Sequence, residues 1–329
     1  MCFGILFGLI APTLLVHGHF PSIYKVTAKD ICMLQGLFYA VVASCSFGLI
    51  PLFTLPLMQE SIASSTILFA RFGISSMIMG VILVLCRQPL AICRGDMWRL
   101  SVLGFFYAAS AITFFLAFHY MDSGIVATVQ YCYPVFVVVI MSCCFHEKLR
   151  KTTLIASFMS IAGVAMFSLH GSENVHFSML GMGLTLLCAT QTALYVIGIQ
   201  ITKTNVSNGL TVTFYLMASG AFFTGLFALV DGGLALPAST GQWVDMLLLA
   251  AITGVLSNLA LVESIKKLGS SLAAILGGLE PVTAMCIGIF VFGEAFTART
   301  ILGTVLIVSA VIVVMLAPRQ GKHQECSSC

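Results

Sequence analysis

Long apolar runs separated by short polar stretches dominate the sequence. Each run holds about 20 residues, the length that an α-helix needs to cross a hydrocarbon core about 30 Å thick. A membrane β-barrel would instead show segments of about 10 residues with alternating polarity. The pattern predicts an all-α membrane protein with ten spans, at roughly 31–57, 62–86, 97–120, 123–145, 151–169, 178–201, 209–230, 243–265, 270–292 and 298–317.

Composition agrees with a chain that lies mostly within a bilayer. Hydrophobic residues make up 59% of the sequence and charged residues 8%, whereas soluble domains have about 25% charged residues. Most of the 12 cysteines lie inside apolar runs, where they behave as small buried hydrophobes. Their spacing does not indicate a zinc site, and the single CxxC pair at the end of the chain is a weak signal.

Basic residues fall almost entirely on one side of the predicted membrane. Lysine and arginine are enriched in cytoplasmic loops. With the start of the first span in the cytoplasm, 13 basic residues lie inside, only Arg299 lies outside, and Arg71 lies within a span. This distribution predicts an inner-membrane protein whose ten-helix core has both ends in the cytoplasm.

Two parts of the chain repeat each other at an offset of 147 residues. The fourth and ninth spans open alike, Pro134 corresponds to Pro281, and Glu147 corresponds to Glu294. Because each copy has an odd number of spans, five, the second copy is expected to be inverted in the membrane. Inverted repeats are typical of transporters, in which two halves alternate around a central site.

The repeat divides the chain into four predicted regions. Residues 31–169 form the first five-helix repeat and residues 178–317 the second, and residues 318–329 form a cytoplasmic tail. Residues 1–30 are an apolar N-terminal extension that is either an extra helix or a dispensable leader, with Met33 as the true start.

Several segments resemble the EamA family of the drug/metabolite transporter superfamily. The strongest likeness lies in 272–282 and 292–297, and weaker forms of the same pattern occur at 131–136 and 146–149. Residues 70–72 also fit. The resemblance covers nearly the whole ten-span region and implies a ten-helix carrier, often an exporter of amino acids or other metabolites.

Glu280 and Arg71 are ionisable residues placed deep within predicted spans. Such groups are costly there unless they are paired or hydrated. Glu280, which corresponds to Tyr133 in the first repeat, either binds a cationic substrate group, takes up a proton that drives transport, or is satisfied by neighbouring backbone. Arg71 either pairs with Glu280, holds a substrate carboxylate, or caps carbonyls of another helix.

Neutral polar residues within the spans are further candidates for lining a cavity, although each also suits helix packing. They are Tyr133, Gln130, Tyr131, Asn258 and Tyr195, together with Tyr107, Gln191 and Tyr215. Two other ionisable residues have simpler explanations. Glu263 is spaced for a helix-surface pair with Lys266 or Lys267, and His119 suits a solvated helix end.

Prolines near the middle of two spans predict local distortions of the helices. Pro134 and Pro281 each remove a backbone hydrogen bond, and Gly277 and Gly278 loosen the chain just before the second proline. The distortion is either a structural kink or a hinge that opens onto a substrate cavity.

The sequence therefore predicts a secondary transporter that moves small metabolites, such as amino acids or related organic solutes, by alternating access. Export is the expected direction, and uptake or facilitated exchange is the alternative. A membrane-embedded lipid-modifying enzyme is the rival class, but no HExxH or GxSxG motif supports it. We predict no enzyme activity and no cofactor. The expected partners are a small-molecule substrate and membrane lipid, not nucleic acid, and the chain is expected to be a monomer or homodimer.

The predicted orientation can be tested by labelling cysteines introduced into a variant that lacks the native ones. A membrane-impermeant maleimide should reach Gly171→Cys in intact cells but should reach Arg94→Cys only after the cells are permeabilised. Labelling of Arg94→Cys in intact cells would contradict the orientation.

Overall fold

The computed structural model of the chain is helical throughout the part that it describes. This part comprises residues 28–88, 92–120, 123–145, 151–168, 178–202, 208–232, 234, 237–292 and 298–316. Most of the predicted N-terminal extension, the predicted tail and the matched acids Glu147 and Glu294 lie outside the described residues.

The helices follow the order of the predicted spans. The first half contains α1 (Ala28–Gly48), α2 (Ile50–Gln59), α3 (Ser64–Leu85), α4 (Arg94–Ala117), α5 (Ser123–Gln130), α6 (Tyr133–Phe145) and α7 (Lys151–Ser168). The second half contains α8 (Met179–Ile201), α9 (Gly209–Val230), α10 (Thr240–Leu248), a π-helical segment (Leu249–Leu256), α11 (Ser257–Leu268), α12 (Ser270–Leu276), α13 (Leu279–Phe290) and α14 (Ala298–Leu316).

Seven helical stretches are long and apolar enough to cross a membrane. They are Cys32–Gln59, Ser64–Leu85, Arg94–Ala117, Met179–Ile201, Gly209–Val230, Thr240–Leu268 and Ser270–Phe290. Three shorter apolar stretches, Tyr133–Phe145, Lys151–Met166 and Ile301–Val313, fall within the fourth, fifth and tenth predicted spans. Length and composition thus support seven of the ten predicted spans directly.

Apolar side chains cover the outside of the helices, and small polar side chains lie inside. Val230 is 88% exposed, Phe290 85% and Met77 71%, as expected where hydrocarbon rather than water surrounds a helix. Thr185 and Thr253 are fully buried, and their hydroxyls donate to carbonyls four residues earlier in their own helices. This bonding satisfies the hydroxyls without water, as a membrane interior requires.

The two halves pack around each other in a symmetric pattern. The equivalent helices α3 and α9 contact each other, and so do the equivalent helices α7 and α14. In addition, α1 contacts α11 and α13, while its counterpart α8 contacts α4 and α6, which correspond to α11 and α13. Two copies of one helical repeat, related by a pseudo-twofold axis, account for this arrangement.

Between two pairs of equivalent helix starts, the second half holds one more residue than the first. The counterparts α4 and α10 begin at Arg94 and Thr240, 146 positions apart, whereas α5 and α12 begin at Ser123 and Ser270, 147 positions apart. The π-helical segment Leu249–Leu256 lies between these points. It accommodates the additional residue, because a π-helix places more residues in each turn than an α-helix does.

Glycine allows the closest contact between α7 and α14. A Cβ atom on Gly163 would lie 2.6 Å from Ile307 Cγ1 and 2.8 Å from the carbonyl oxygen of Gly303. Gly183, in contrast, is exposed on α8, and a Cβ atom there would meet nothing within 4 Å. The two positions therefore separate the effect of packing from the general effect of replacing glycine in a helix.

We expect Gly163→Ala to lower the free energy of unfolding by about 1–3 kcal/mol, because the added methyl group must displace backbone in α14. Reversible unfolding in mixed detergent micelles measures this quantity. Gly183→Ala is the matched control and should leave stability unchanged or slightly higher, since alanine favours the helix. Equal stability of Gly163→Ala and the parent would contradict the packing described here.

Candidate functional site

Two helices are interrupted near their centres, one in each half. The break between α5 and α6 comes just before Pro134, and the break between α12 and α13 lies at Gly277 and Gly278, just before Pro281. A proline cannot donate to the carbonyl four residues earlier, which for Pro281 belongs to Gly277. The predicted distortions are therefore short turns within both spans, where backbone hydrogen bonds join residues three apart rather than four.

Side-chain hydroxyls donate hydrogen bonds to backbone carbonyl groups at the break in the second half. Carbonyl groups within a membrane need donors from the protein, because lipid offers none. Two of the donors are tyrosines from the opposite half, at the break between α5 and α6. The three bonds run from Tyr133 Oη to Ala274 O at 3.1 Å, from Tyr131 Oη to Gly277 O at 3.3 Å and from Ser44 Oγ to Leu276 O at 3.0 Å.

Glu280 lies in the first turn of α13, directly after this break. The residue as a whole is partly exposed, and its carboxyl group is near enough to the hydroxyls of Tyr131 and Tyr133 to affect them electrostatically. Arg71 is near enough to exert an electrostatic effect on Glu280, but the two side chains do not form a direct ion pair. The carboxylate therefore lacks a contacting cation among the described residues.

Arg71 projects from α3 towards the second half and is 9% exposed. Its Nη2 atom donates to the carbonyl oxygen of Thr253 at 3.0 Å and to the hydroxyl of Tyr107 at 3.3 Å. The guanidinium carbon also lies 5.8 Å from the centre of the Phe47 ring, a distance that suits a cation–π interaction. Arg71 thus connects three helices of the first half to the π-helical segment of the second.

The Thr253 carbonyl has more donors than it can fully use. Besides Arg71, it accepts from the Ser257 hydroxyl and, at 3.4 Å, from Asn258 Nδ2. A carbonyl oxygen has two lone pairs, so the Arg71 bond can be given up without leaving the oxygen unsatisfied. The π-helical segment therefore provides Arg71 with a partner that it can exchange.

Behind Arg71 lies a layer of buried aromatic and amide side chains. Tyr107 stacks on Tyr195 with ring centres 4.5 Å apart. The Tyr195 hydroxyl donates to Asn258 Oδ1 at 3.3 Å, and Asn258 Nδ2 donates to the Gly254 carbonyl at 2.8 Å. Tyr195 is 1% exposed and Asn258 0%, so these two predicted cavity residues support Arg71 from behind.

A separate polar cluster joins α4, α5 and α8. Gln130 Nε2 donates to Thr192 Oγ1 at 3.1 Å, and Thr113 Oγ1 donates to Gln191 Oε1 at 2.9 Å. The Oε1 atom of Gln130 is buried and has no hydrogen-bond partner among the residues that the structure describes. Gln130 and Gln191, both predicted candidates, therefore belong to this cluster rather than to the group around Glu280.

The remaining predicted residues lie elsewhere in the structure. Glu263 pairs with Lys266 at 3.6 Å and also faces Gly209, the first residue of α9, where the helix dipole favours an acid. His119 is exposed after the end of α4. Tyr215 is partly buried against the main apolar cluster.

Sequence reasoning missed three partners of the predicted site residues. Ser44, Phe47 and the Thr253 carbonyl each contact a break or Arg71, yet serine, phenylalanine and a backbone carbonyl are ordinary components of any membrane helix. No signal in the sequence pointed to these three partners.

Comparison with known proteins gives one family and one fold. The model of the family described as "EamA-like transporter family" matches residues 34–169 and again residues 179–316. A solved structure described only as "Crystal structure of protein" has a TM-score of 0.74 at 15% identity, covering 87% of this chain and 97% of the other. No curated protein matches the sequence.

We expect Tyr133→Phe to destabilise the protein by about 1 kcal/mol, because the Ala274 carbonyl would lose its side-chain donor. Reversible unfolding in mixed micelles again provides the measurement. Tyr120→Phe is the control, since Tyr120 is 46% exposed at the end of α4. If both variants had the stability of the parent, the hydroxyl of Tyr133 would not be holding the break.

Proposed function

Because the chain belongs to the EamA-like transporter family, we propose that it is a secondary transporter of small metabolites, such as amino acids or related organic solutes. Members of this family are transporters rather than enzymes. The protein is a multi-pass integral membrane protein, and in our proposal it works in the inner membrane by alternating access, in the direction of export.

The observation that carries the proposal is the arrangement of Glu280 and Arg71 at the junction of the halves. Glu280 and Arg71 interact electrostatically but do not contact each other, so each charge remains available to a third group. A zwitterionic solute offers a cationic group to Glu280 and a carboxylate to Arg71. Tyr107 and Phe47, which contact Arg71, would add aromatic surface beside the solute.

Alternating access is supported by the two interrupted helices. Interrupted helices in inverted repeats bring backbone groups and charged side chains to the middle of the membrane, where a solute can be held between moving halves. Here the two breaks face each other through Tyr131 and Tyr133. A shift of one half relative to the other would therefore act on both breaks together.

Glu280 also suits a role in proton coupling. Tyr131 can donate to the ionised carboxylate, or it can accept a hydrogen bond from the neutral acid while it donates to the Gly277 carbonyl. Either bonding pattern is satisfied, so the site can exist in both protonation states. A proton and a solute cation competing for Glu280 would give exchange of one for the other.

The proposed orientation follows the basic residues. The end of α3 and the start of α4, which are consecutive in the chain, carry three exposed basic residues: Arg87, Arg94 and Arg99. Cytoplasmic loops are expected to carry such residues. Trp98 is 72% exposed in α4, and Trp243 is 44% exposed near the start of its counterpart α10. Tryptophans at these positions suit the two opposite membrane interfaces of an inverted pair.

We expect Glu280→Gln to abolish accumulation driven by a proton gradient, because glutamine cannot release a proton. The measurement uses energised inverted membrane vesicles and a mixture of ¹⁴C-labelled amino acids as the probe. The parent protein should accumulate label inside these vesicles, which corresponds to export from the cell.

The matched control is Glu263→Gln, which removes an acid that pairs with Lys266 at a helix end. This variant should accumulate label as the parent does. Accumulation by Glu280→Gln at the parent level would overturn the proton role of Glu280. Gradient-driven accumulation in right-side-out vesicles in place of inverted ones would instead favour uptake.

A further inference from the structure

An internal space borders the polar cluster that joins α4, α5 and α8, and Thr192 of α8 shows where it lies. The neighbours of Thr192 one turn away on the helix are all at most 4% exposed: Cys188, Ala189, Tyr195 and Val196. Thr192 itself is nevertheless partly exposed. Residues three and four apart lie side by side on a helix surface. Other helices therefore cover this face of α8, and Thr192 meets open space within the bundle.

Three further polar side chains converge on the same place. Gln130, the last residue of α5, donates to Thr192 Oγ1 at 3.1 Å. Thr113 of α4 bonds to Gln191 of α8 at 2.9 Å. All three are partly exposed, and the side chains of Thr113, Gln130 and Thr192 lie close enough to the buried Cys188 thiol to affect it. We name Thr113, Gln130, Gln191 and Thr192 the amide pocket.

The amide group of Gln130 has one orientation that fits its surroundings. The Thr192 hydroxyl donates its proton to the Cys188 carbonyl at 3.0 Å. It can therefore only accept in its bond with Gln130, and it must face the amide nitrogen. The amide oxygen of Gln130 is then the buried atom that lacks a donor among the described residues. An acceptor in this condition gains free energy from any donor that reaches it.

The amide group of Gln191, in contrast, can turn over without losing its partner. The Thr113 hydroxyl lies 2.9 Å from Gln191 Oε1, and it also lies near two backbone carbonyls, Ala109 O at 2.9 Å and Ser110 O at 3.1 Å. A hydroxyl has one proton to donate. When this proton goes to a backbone carbonyl, the hydroxyl oxygen can accept from Gln191 Nε2 instead. Gln191 can therefore present either a donor or an acceptor to a ligand.

The composition of the amide pocket selects the kind of group that it can hold. Its side chains are uncharged, so an ionised group would lose its hydration here without meeting an opposite charge. An apolar group would leave Gln130 Oε1 without a donor. A carboxamide satisfies both glutamines, because its N–H groups can donate to Gln130 Oε1 and its oxygen can accept from Gln191 Nε2.

The amide pocket lies about one helical turn from the partners of Arg71. Gln191 comes four residues before Tyr195 in α8, a separation of about 6 Å along the helix. Tyr195 stacks on Tyr107, whose hydroxyl accepts from Arg71. Tyr107 and Gln191 are both partly exposed. A solute whose carboxylate is held by Arg71 can therefore extend its side chain past Tyr107 towards Gln191.

We propose that the amide pocket is a specificity subsite that recognises the side-chain carboxamide of an amino acid such as glutamine or asparagine. The amide of Gln130 turns its oxygen towards the solute and accepts from the solute N–H, while Gln191 donates to the solute carbonyl. Thr192 is a positioning residue that orients Gln130. The inference rests on the proposed transport of amino acids, and it adds the class of side chain that the carrier prefers.

Three amino acids with side chains of similar length test the proposal: glutamine, glutamate and methionine. Isothermal titration calorimetry on the purified protein in mixed micelles measures their dissociation constants. The parent should bind glutamine about tenfold more tightly than methionine, close to the upper value for one buried hydrogen bond, and should bind glutamate more weakly than glutamine. Equal affinity for glutamine and methionine, or binding of neither, would overturn the proposal.

Two variants test which groups recognise the solute. Gln130→Met preserves the length of the side chain but removes the amide, so it should abolish the preference for glutamine while methionine still binds. Thr192→Val removes the hydroxyl that orients Gln130 and should reduce the preference severalfold. The matched control is Thr190→Val, which removes a hydroxyl bonded to the Leu186 carbonyl at an exposed position of α8. This control should retain the preference of the parent.

The ratio of the two dissociation constants separates recognition from a folding defect, because a poorly folded variant would lose both solutes. If Gln130→Met cannot be purified, Gln191→Met removes the other amide and should weaken the preference for glutamine in the same way. An unchanged preference in these glutamine variants would overturn the role of the pocket.

Transport measurements separate the pocket from the proposed function. Accumulation of ¹⁴C-glutamine and ¹⁴C-methionine is followed in energised inverted vesicles. Selective binding of glutamine without accumulation of either solute would refute the proposed function and leave the pocket standing. Accumulation of both solutes with equal efficiency would overturn the pocket and leave the proposed function standing.

Discussion

Every peptide group inside a bilayer must find its hydrogen-bond partner within the protein, and the centre of this molecule is built around that requirement. The break before Pro281 releases carbonyl groups, and the hydroxyls of Tyr131 and Tyr133, which come from the opposite half, bond to them. The break therefore depends on the contact between halves. Glu280 begins the helix after the break, so the position of its carboxyl group depends on the same bonds.

The same requirement explains how a buried arginine is tolerated. Arg71 makes no direct contact with an acidic side chain among the described residues. A carbonyl, a hydroxyl and an aromatic ring surround it instead. The carbonyl is that of Thr253, in the π-helical segment Leu249–Leu256. A change in local helix geometry in one half thus provides a partner for a charge that belongs to the other.

The sequence was informative where a residue conflicts with its surroundings. Apolar runs of the right length predicted the helices, and Glu280 and Arg71 stood out because charges are rare in such runs. Polarity alone could not separate Glu280, at the junction, from Tyr195 and Asn258, which are fully buried behind Arg71. Nor could it identify the Thr253 carbonyl or the Phe47 ring, since neither has a distinctive residue type. Which neighbour a polar group meets depends on helix rotation, and helices that are mostly apolar leave that rotation poorly specified in the sequence.

The shared Thr253 carbonyl has a consequence for the cost of freeing Arg71. When the guanidinium leaves this oxygen, the Ser257 hydroxyl and Asn258 Nδ2 remain bonded to it, so no buried acceptor loses all of its donors. An unsatisfied buried acceptor costs about 1–3 kcal/mol, and that cost would reduce the affinity of any ligand that draws Arg71 away. The crowding at Thr253 removes this cost, so even a weakly held ligand can compete for the arginine.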